Sequence, residues 1–262
     1  MKIVVCIKQV PRRDDLLRID ASKTWIEEQN LSFEANESDT FALEEGLRLK
    51  EKHGGEVVVV TLGPADASKT IKEALAKGAD RAIHLVDATF ERLDSMATAR
   101  ALAAAIGPEA PDLVLAGLQS DDLGYGQTGV LVAELLGLAH ASIIIALESA
   151  EDGSNLRVKR ELENGWFQWV TMKLPAVITI QSGINKPRYA SLKGIMGAKK
   201  KQVDQKTAAD LGLAGDALAA REVLGSLYFP VREKKTEMLE GDAETVAAQL
   251  VERLRNNGII QR

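Results

Sequence analysis

The chain has 262 residues, of which 45% are hydrophobic, and its formal net charge is −5 at pH 7. This length and composition allow a substantial buried core in one large domain or two smaller ones. The acidic balance argues against general polyanion binding, because proteins that neutralise many phosphates usually carry a basic excess. With a single cysteine, Cys6, the chain cannot build an internal disulfide framework, and no Cys/His cluster has metal-ligand spacing.

The same features predict a cytoplasmic protein without a structural metal. The first residues, MKIVVCIKQV, are typical of a strand rather than a signal peptide, because the apolar run is short and no small-residue cleavage site follows. The sequence contains no uncharged apolar stretch that is long enough to span a bilayer. We therefore expect no membrane insertion.

Short β-branched apolar runs alternate with segments of helical periodicity in the first half of the chain. The apolar runs predict strands at 2–8, 56–63, 81–86 and 112–117. The segments between them predict helices at 39–53, 66–79, 95–107 and 126–137, with Asp39 and Asp66 as N-caps and Gly54, Gly78 and Gly137 at the ends. Near-continuous apolar strands that alternate with helices indicate an α/β fold, in which helices cover both faces of a mostly parallel sheet.

The pattern changes after residue 137. Shorter alternating runs predict antiparallel strands at 141–149, 156–162 and 166–174, followed by a strand at 176–181 that returns to the main sheet. Residues 183–241 have weak periodicity and many charges, so we expect an arm or a linker there. An amphipathic helix with a glycine stop is predicted at 242–258.

A ligand site is expected beyond the carboxyl ends of the strands, as in other open α/β sheets. The loop 116–129 is the most glycine-rich segment at such a position. Gln127 and Thr128 stand where the next helix should begin, so free N–H groups and the helix dipole could hold a phosphate. The loop is neither a Walker A sequence nor a GxGxxG fingerprint, so a nucleotide site and a plain turn both remain open. Asp121 and Asp122 would repel a phosphate unless they point away or contact ribose hydroxyls.

We find no catalytic constellation in the sequence. His53, His84 and His140 have no nearby serine or cysteine partner and are interpreted as structural. Cys6 lies in an apolar strand, where a buried thiol behaves as a small hydrophobic group. These features favour a binding scaffold over an enzyme.

Two further groups lie in the predicted antiparallel strands. Trp166, Phe167 and Trp169 alternate in a strand pattern, which predicts that at least part of the group is core while one face is available to a partner. Glu161 and Glu163 are predicted to share one face of an extended strand. Without a pocket beside them, they are interpreted as an exposed face or as half of an ion pair between subunits.

A long motif runs from Val158 to Thr179 and reads VKRELENGWFQWVTMKLPAVIT. It resembles the signature of the electron transfer flavoprotein beta subunit family and departs from it only at Asn164, where the family usually has glycine or an acid. The likeness extends to NESDTFALEEGLRLKEK at 36–52, to the Gln-Thr-Gly of the fourth loop and to NKPRYASL at 185–192. It covers the chain to about residue 201 with high specificity, and is looser thereafter.

The resemblance implies a Rossmann-like fold of the adenine nucleotide alpha-hydrolase type, with an antiparallel hairpin and an extended C-terminal arm. It also implies a heterodimer in which an alpha subunit holds the redox-active FAD, while this chain holds AMP in a structural role. The AMP contacts carried over by position are Cys6, Asn36, Glu37, Ser38, Asp39, Leu62, Gly117, Ser120, Leu123, Gly126, Gln127 and Thr128. Arg13 and Ser38 stand where the family often brings an aromatic toward the flavin, so a flavin contact by Arg13 is expected in its place.

The basic segment, residues 185–201, reads NKPRYASLKGIMGAKKK and resembles the family's recognition loop. The resemblance implies that Leu192, projecting from a polar arm, anchors in a hydrophobic pocket of a partner dehydrogenase. Further partner contacts would come from Tyr189, Lys193, Ile195 and Met196. Lys193 and the lysines at 199–201 would speed encounter with acidic partner surfaces. Glu161 matches a family glutamate that pairs with an arginine of the mobile flavin domain.

The implied function is that of an electron carrier subunit rather than an enzyme. Flavin dehydrogenases of the acyl-CoA or methylamine type would reduce the FAD, and a quinone oxidoreductase would accept the electrons. The implied organisation is a nucleotide-binding domain at 1–182, a recognition loop at 183–202, and an arm and helix at 203–262 that pack on the alpha subunit.

Three alternatives remain open. Some homologues bind a second FAD in place of AMP and bifurcate electrons from NADH, although the Gly-Gln-Thr-Gly loop is more similar to the AMP-binding group. A stand-alone nucleotide-binding enzyme would require catalytic histidines or lysines near the phosphate, which the loop 116–129 lacks. A nucleic-acid binder would depend on the basic segment alone, and the acidic balance of the whole chain argues against it.

Overall fold

The structure is a computed structural model that describes residues 1–231 and 236–260. The chain divides into two compact units, Met1–Gly225 and Ser226–Arg262. Within the described residues, every helix is too short or too polar to cross a membrane.

The first unit contains almost all of the regular structure. Its strands are β1 (Lys2–Cys6), β2 (Gln9–Pro11), β3 (Phe33–Ala35), β4 (Glu56–Leu62), β5 (Arg81–Leu85), β6 (Leu113–Gly117), β7 (Ala139–Ser149), β8 (Asn155–Glu161), β9 (Phe167–Lys173), β10 (Ala176–Ile180) and β11 (Val203–Lys206). Its α-helices are α1 (Glu37–His53), α2 (Ser68–Lys77), α3 (Ser95–Ile106), α4 (Thr128–Leu136) and α5 (Leu192–Ala198). The elements predicted up to residue 181 are confirmed, each within two residues at either end.

Nine strands form one sheet in the order β11-β5-β4-β1-β6-β10-β7-β8-β9. The strands from β11 to β7 run parallel, and β8 and β9 extend the sheet in antiparallel pairing. A separate antiparallel pair consists of β2 and β3. The chain proceeds from β1 to β4 and β5 on one side and returns to the other side of β1 with β6, so the strand order reverses between β1 and β6. This arrangement confirms the predicted α/β fold, and the reversal is the switch point where such sheets bind ligands.

The core lies in two layers, one on each face of the parallel sheet. Ile3 and Val5 of β1 belong to the layer that includes α1, α2 and α5, whereas Val4 between them belongs to the layer with α3 and α4. Successive strand residues point to opposite faces, and both faces are covered. This explains why the strands read as continuous apolar runs.

The prediction of an arm or linker at 183–241 was wrong for two elements. Strand β11 pairs in parallel with β5 at the edge of the sheet, and α5 packs near α2. An edge strand is paired on one side only, and β11 is exposed at alternate residues, so its sequence VDQK lacks the apolar run of a central strand. Helix α5 exposes most of its side chains and therefore shows no buried stripe.

Both predicted N-caps were also wrong. Helix α1 begins after Asn36, and α2 begins after Ala67, which ends a short 3-10 turn that contains Asp66. Asp39 lies in the first turn of α1, and its carboxylate bonds to backbone groups outside the helix. The glycines predicted to end α1, α2 and α4 are confirmed as the C-cap residues Gly54, Gly78 and Gly137.

The hairpin of β8 and β9 corrects two expectations. Trp166 and Phe167 are exposed, and Trp169 is only partly buried beneath the Arg157 guanidinium, 4.4 Å from its ring centre, so none of the three aromatic side chains is core. Glu161 ends β8, whereas Glu163 lies in the following turn, so the two carboxylates do not share a strand face. Asn164 in that turn has a φ of 58°, a left-handed conformation that asparagine tolerates better than most residues.

The second unit contains the helix α6 (Ala243–Asn256), which confirms the helix predicted at 242–258. The Asp242 side chain accepts a hydrogen bond from the Thr245 amide and caps the N-terminus. Arg253 in the last turn forms an ion pair with Glu237.

Candidate functional site

Residues from distant parts of the chain meet at the carboxyl edge, the side of the sheet where the parallel strands end. Cys6, Leu62 and Gly117 are the last residues of β1, β4 and β6, which are neighbours in the sheet. Helix α1 begins beside the ends of β1 and β6, since Asp39 accepts hydrogen bonds from the backbone that follows β1 and from the last residue of β6. The sequence-predicted nucleotide contacts on these elements therefore converge at the switch point.

Asp39 connects the two strands between which the strand order reverses. Its Oδ2 accepts a hydrogen bond from the Lys8 amide and its Oδ1 accepts one from the Gly117 amide, both at 2.8 Å. Burial raises the pKa of the Asp39 carboxyl to about 6, although these two hydrogen bonds act in the opposite direction. The carboxylate thus joins the ends of β1 and β6.

The start of α1 also holds the loop that follows β6. The Asn36 Nδ2 donates to the Gln119 carbonyl at 3.0 Å, and the Ser38 hydroxyl donates to the same oxygen at 2.8 Å. In return, the Asp121 amide donates to the Asn36 Oδ1 at 2.8 Å. Asn36 and Ser38 are both buried, so these bonds fix the path of the loop at its first residues.

The two carboxylates that argued against a phosphate are each paired with a cation. Arg13 lies 2.6 Å from an Asp121 oxygen and 2.9 Å from Glu37, and the Lys8 ammonium lies 2.7 Å from Asp122. Burial works to raise the pKa of Asp122, but the charge and hydrogen bond of Lys8 outweigh it and hold that pKa below its usual value. These neighbouring positive charges weaken the repulsion that either carboxylate would exert on an anion.

The N-terminus of α4 is open for an anion. No side chain caps it, and among the described residues the amides of 127–130 have no hydrogen-bond acceptor. Gly126, with a φ of 65°, brings the backbone into the helix through a left-handed turn. Below this turn, Gly129 sits so close to β10 that a Cβ there would lie 2.5 Å from the Thr179 methyl carbon. The Thr179 hydroxyl is buried and has no partner in the described part of the chain.

Cys6 supports the interpretation of a small apolar group rather than a nucleophile. Burial, with a smaller contribution from the Asp39 charge, raises the pKa of its thiol to about 12. The thiol is therefore protonated at neutral pH, and thiolate chemistry is not expected at this edge.

Two more of the predicted nucleotide contacts lie in the loop 116–129. Leu123 is partly exposed, and the Ser120 hydroxyl lies 3.4 Å from the Lys8 ammonium.

The histidines lie away from the carboxyl edge, apart from one partial exception. His84 is buried in β5, and its Nε2 lies 3.2 Å from the carbonyl of Gly63, the residue after β4. His140 is exposed in β7. His53 does have a serine neighbour, contrary to the sequence-based expectation, because its Nε2 lies 2.7 Å from the Ser149 hydroxyl. That contact joins the C-terminal end of α1 to the end of β7. The two residues are 96 positions apart in the chain, so the sequence alone does not show that they are neighbours.

The basic segment is a structured surface rather than a loose arm. It exposes a large part of four apolar side chains, which are Tyr189, Leu192, Ile195 and Met196. Leu192 is 82% exposed and begins α5. Lys193, Lys199 and Lys200 are exposed, but the Lys201 ammonium donates to the Leu75 and Ala79 carbonyls at the end of α2. Lys201 is therefore an anchor, which sets it apart from the exposed Lys199 and Lys200 beside it.

Two residues at the carboxyl edge were not predicted from the sequence. Lys8 had no predicted role, although a cation two residues after β1 could have been matched to the acids of the loop 116–129. Thr179 lies inside the motif at 158–179 and likewise had no predicted role.

No metal-binding group of three or more His, Cys, Asp or Glu side chains occurs in residues 1–231 and 236–260.

The fold and this edge define an open, doubly wound α/β protein, a class that binds its ligands beyond the carboxyl ends of the strands. The family model for the electron transfer flavoprotein domain matches residues 23–211. The chain belongs to the electron transfer flavoprotein family, and the relatives described below are named as its beta subunit.

The relatives that carry the name electron transfer flavoprotein subunit beta include the following three. The chain is 38% identical to the one from Methylophilus methylotrophus over 257 residues, which covers 96% of this chain and 97% of the relative. It is 39% identical to the one from Bradyrhizobium diazoefficiens, over 98% of each chain. It is 37% identical to the one from Thermoanaerobacterium thermosaccharolyticum, over 99% of this chain and all of the relative.

Proposed function

We propose that the protein is the beta subunit of a heterodimeric electron transfer flavoprotein, in which it binds AMP, supports a FAD-bearing alpha subunit and docks flavin dehydrogenases. The relatives named beta subunit support the heterodimer. The observation that carries AMP binding is the uncapped N-terminus of α4 at the carboxyl edge, where Gly129 lies against Thr179 of β10. Backbone N–H groups at a helix start suit a phosphate.

The residues at this edge fit an adenine nucleotide. Gly126, Gln127 and Thr128 would hold the phosphate, while Leu62 and Cys6 offer apolar surface for the base. The network of Asn36, Ser38 and Asp39 would form the wall behind the nucleoside, since its hydrogen bonds already hold the loop 116–129. Asp39 is engaged by two backbone amides and Cys6 is protonated, which supports a structural nucleotide rather than a substrate.

The FAD held mainly by the alpha subunit would supply the redox chemistry of the complex. This chain would contribute the rigid base and the docking surface. Arg13 is held by Glu37 and Asp121 at the carboxyl edge, so a flavin contact would use the remainder of its guanidinium. Glu161, exposed at the end of β8, would pair with an arginine of the flavin domain. A quinone oxidoreductase would accept the electrons.

Removal of the nucleotide is expected to lower the melting temperature of the heterodimer while flavin reduction continues. A ligand present at about 100 times its Kd stabilises the folded state by ~2.7 kcal/mol. The measurement is thermal unfolding of protein refolded with and without AMP, with GMP as the control. An unchanged melting temperature on AMP addition would count against the proposal, and so would loss of flavin reduction in nucleotide-free protein.

The content of the purified heterodimer tests the cofactor assignment directly. Acid release followed by chromatography is expected to give one FAD and one AMP per heterodimer. Two FAD and no AMP would indicate the bifurcating alternative. A colourless monomer that hydrolyses ATP would instead support a stand-alone nucleotide-binding enzyme.

Leu192→Ala is expected to weaken electron transfer from the dehydrogenase without changing the AMP or FAD content. Burying a leucine side chain in a partner pocket contributes roughly 1.5–3 kcal/mol, which corresponds to a rise of about tenfold to a hundredfold in KM for the carrier. The measurement is the steady-state rate with an acyl-CoA dehydrogenase and, in parallel, with a methylamine-type dehydrogenase.

The matched control is Leu135→Ala, which truncates a partly exposed leucine of α4 on the opposite face of the sheet. Its KM is expected to stay close to that of the unmodified protein. Unchanged kinetics of Leu192→Ala with both dehydrogenases would remove this side chain from the docking surface.

A further inference from the structure

The basic segment is fastened to α1 by Arg188. The Arg188 guanidinium donates from Nε to Glu44 Oε2 at 2.8 Å and from Nη2 to Glu44 Oε1 at 3.0 Å, and the Arg188 amide donates to Glu44 Oε2 at 3.1 Å. The same guanidinium forms an ion pair with Glu51, about two helical turns further along α1. The Glu44 side chain is 5% exposed whereas Glu51 is 58% exposed, so the Glu44 end of the fork is shielded from water and the Glu51 end is not. The two parallel bonds to Glu44 fix the geometry of the guanidinium.

A second fastening follows α5. The Lys201 ammonium donates to the Leu75 carbonyl at 2.9 Å and to the Ala79 carbonyl, so it satisfies backbone acceptors at the C-terminal end of α2. Between the two fastenings, Gly194 packs directly against the Ala76 carbonyl, and a Cβ at that position would overlap the oxygen. The segment is thus held at its start on α1, at its middle on α2 and at its end on α2.

The helix between these fastenings has little stability of its own. α5 contains seven residues, and helices shorter than about 12 residues are marginal in water even when their sequences favour helix. Two of its residues, Gly194 and Gly197, are poor helix formers. The Ser191 hydroxyl caps its first turn, but most of the remaining side chains face solvent. Its conformation therefore depends on the contacts that hold the segment on α1 and α2.

We propose that Arg188 and Lys201 are positioning residues that hold the exposed side chains of α5 in the arrangement a partner dehydrogenase recognises. This inference rests on the proposed docking function of the same segment. A surface ordered before binding loses less conformational entropy on association, so the fastenings act on affinity. Their contacts are with α1 and with the end of α2 rather than with the carboxyl edge, so the rate at saturating partner is expected to stay unchanged.

Hydrogen exchange of the intact heterodimer tests the ordering without any partner. Arg188→Ala and Lys201→Met are expected to speed exchange of the α5 amides by about tenfold or more, because local opening becomes easier. Exchange in β1, β4 and β6 is expected to stay unchanged.

Each variant has a control that removes a similar charge without releasing the segment. Arg48→Ala takes away the other arginine that bonds to Glu44, at 3.1 Å, but Arg48 and Glu44 belong to the same helix. Lys200→Met removes the exposed lysine next to Lys201. Neither control is expected to change exchange in α5. If Arg48→Ala speeds α5 exchange as much as Arg188→Ala does, the effect comes from disturbing Glu44 and the assignment of Arg188 is overturned.

Kinetics with a purified acyl-CoA dehydrogenase then test the role in docking. Arg188→Ala and Lys201→Met are expected to raise KM for the carrier by about tenfold, ~1.4 kcal/mol, with kcat unchanged. Arg188→Lys keeps the charge but loses the fork, so an intermediate KM is expected. In an Arg188→Ala background, Leu192→Ala is expected to raise KM by a smaller factor than it does alone, because a disordered leucine already contributes less to binding.

The outcomes separate this inference from the docking proposal itself. If Leu192→Ala leaves KM unchanged, docking by the basic segment fails. If Leu192→Ala raises KM but Arg188→Ala and Lys201→Met do not, docking stands and the positioning role is overturned. A fall in kcat at constant KM would also overturn it, since that result would place the residues in the transfer step.

Discussion

Gly117→Ala is expected to destabilise the protein by about 3 kcal/mol or more, at the upper end of what overpacking usually costs. A Cβ at residue 117 would overlap the Ser38 hydroxyl and the Asp39 Oδ1, and it would lie 2.8 Å from the Asp39 amide nitrogen. That amide is part of the first turn of α1 and cannot move as a flexible side chain could. The variant must therefore separate β6 from α1 at the switch point, which also breaks the hydrogen bond from the Gly117 amide to Asp39.

The measurement is chemical denaturation of the heterodimer, together with its AMP content. We expect the nucleotide to be lost, because the loop 116–129 starts at the displaced residue. Gly225→Ala is the control, since a Cβ there would meet no atom within 4 Å and the residue has no left-handed φ. A Gly117→Ala variant with the stability and AMP content of the control would refute the close packing of α1 against β6.

Asp39→Asn is expected to change how stability depends on pH. The pKa of Asp39 is raised from 3.8 to about 6 in the folded protein, chiefly by burial. The stability linked to this group is therefore fully present below about pH 4 and is lost as pH rises through about 6, an interval that corresponds to ~3 kcal/mol. Asparagine does not titrate, so it removes this dependence. Asparagine resembles the protonated carboxyl that the unmodified protein carries at low pH, because each presents one carbonyl oxygen to the Lys8 and Gly117 amides.

The prediction has a definite sign. At about pH 4, Asp39→Asn should have nearly the same free energy of unfolding as the unmodified protein, and as pH rises to about 7 the variant should become the more stable of the two by up to ~3 kcal/mol. Denaturant titrations at a series of pH values measure this difference in free energy, in which the other titrating groups cancel. Asp66→Asn, which changes a largely exposed carboxylate, should show no such change with pH. A difference that does not change with pH, or that changes in favour of the unmodified protein, would mean that Asp39 is not held at a raised pKa.

Much of the fold was predictable, because both faces of the parallel sheet are covered. Val57 to Val60 are all fully buried, and such a run can hardly be anything but a central strand. β11 was missed for the opposite reason, since it is paired on one side only and half exposed. The sheet that supports the candidate site was therefore visible in the sequence, while its edge was not.

The location of the candidate site was predictable from the sequence, but the hydrogen bonds that hold the site together were not. Glycines and a helix start after β6 indicated the carboxyl edge, yet the amides that donate to Asp39 lie 31 and 78 residues away along the chain. The N-cap prediction for Asp39 followed from its place at a helix start, where a local bond competes with these distant ones. The three lysines at 199–201 are equivalent in the sequence. Only the packing of α5 on α2 distinguishes Lys201, which is anchored, from Lys200, which is exposed.

Helix α1 contacts both the carboxyl edge and the basic segment. Its first turn carries Asp39 at the carboxyl edge, and its later turns carry Glu44 and Glu51, which hold Arg188. A helix of 17 residues is a rod of ~25 Å, with its backbone hydrogen bonds running along its length. The basic segment and the switch point are therefore both positioned by the same helix. Sequence changes in the loops between them should leave the distance from the basic segment to the switch point unchanged.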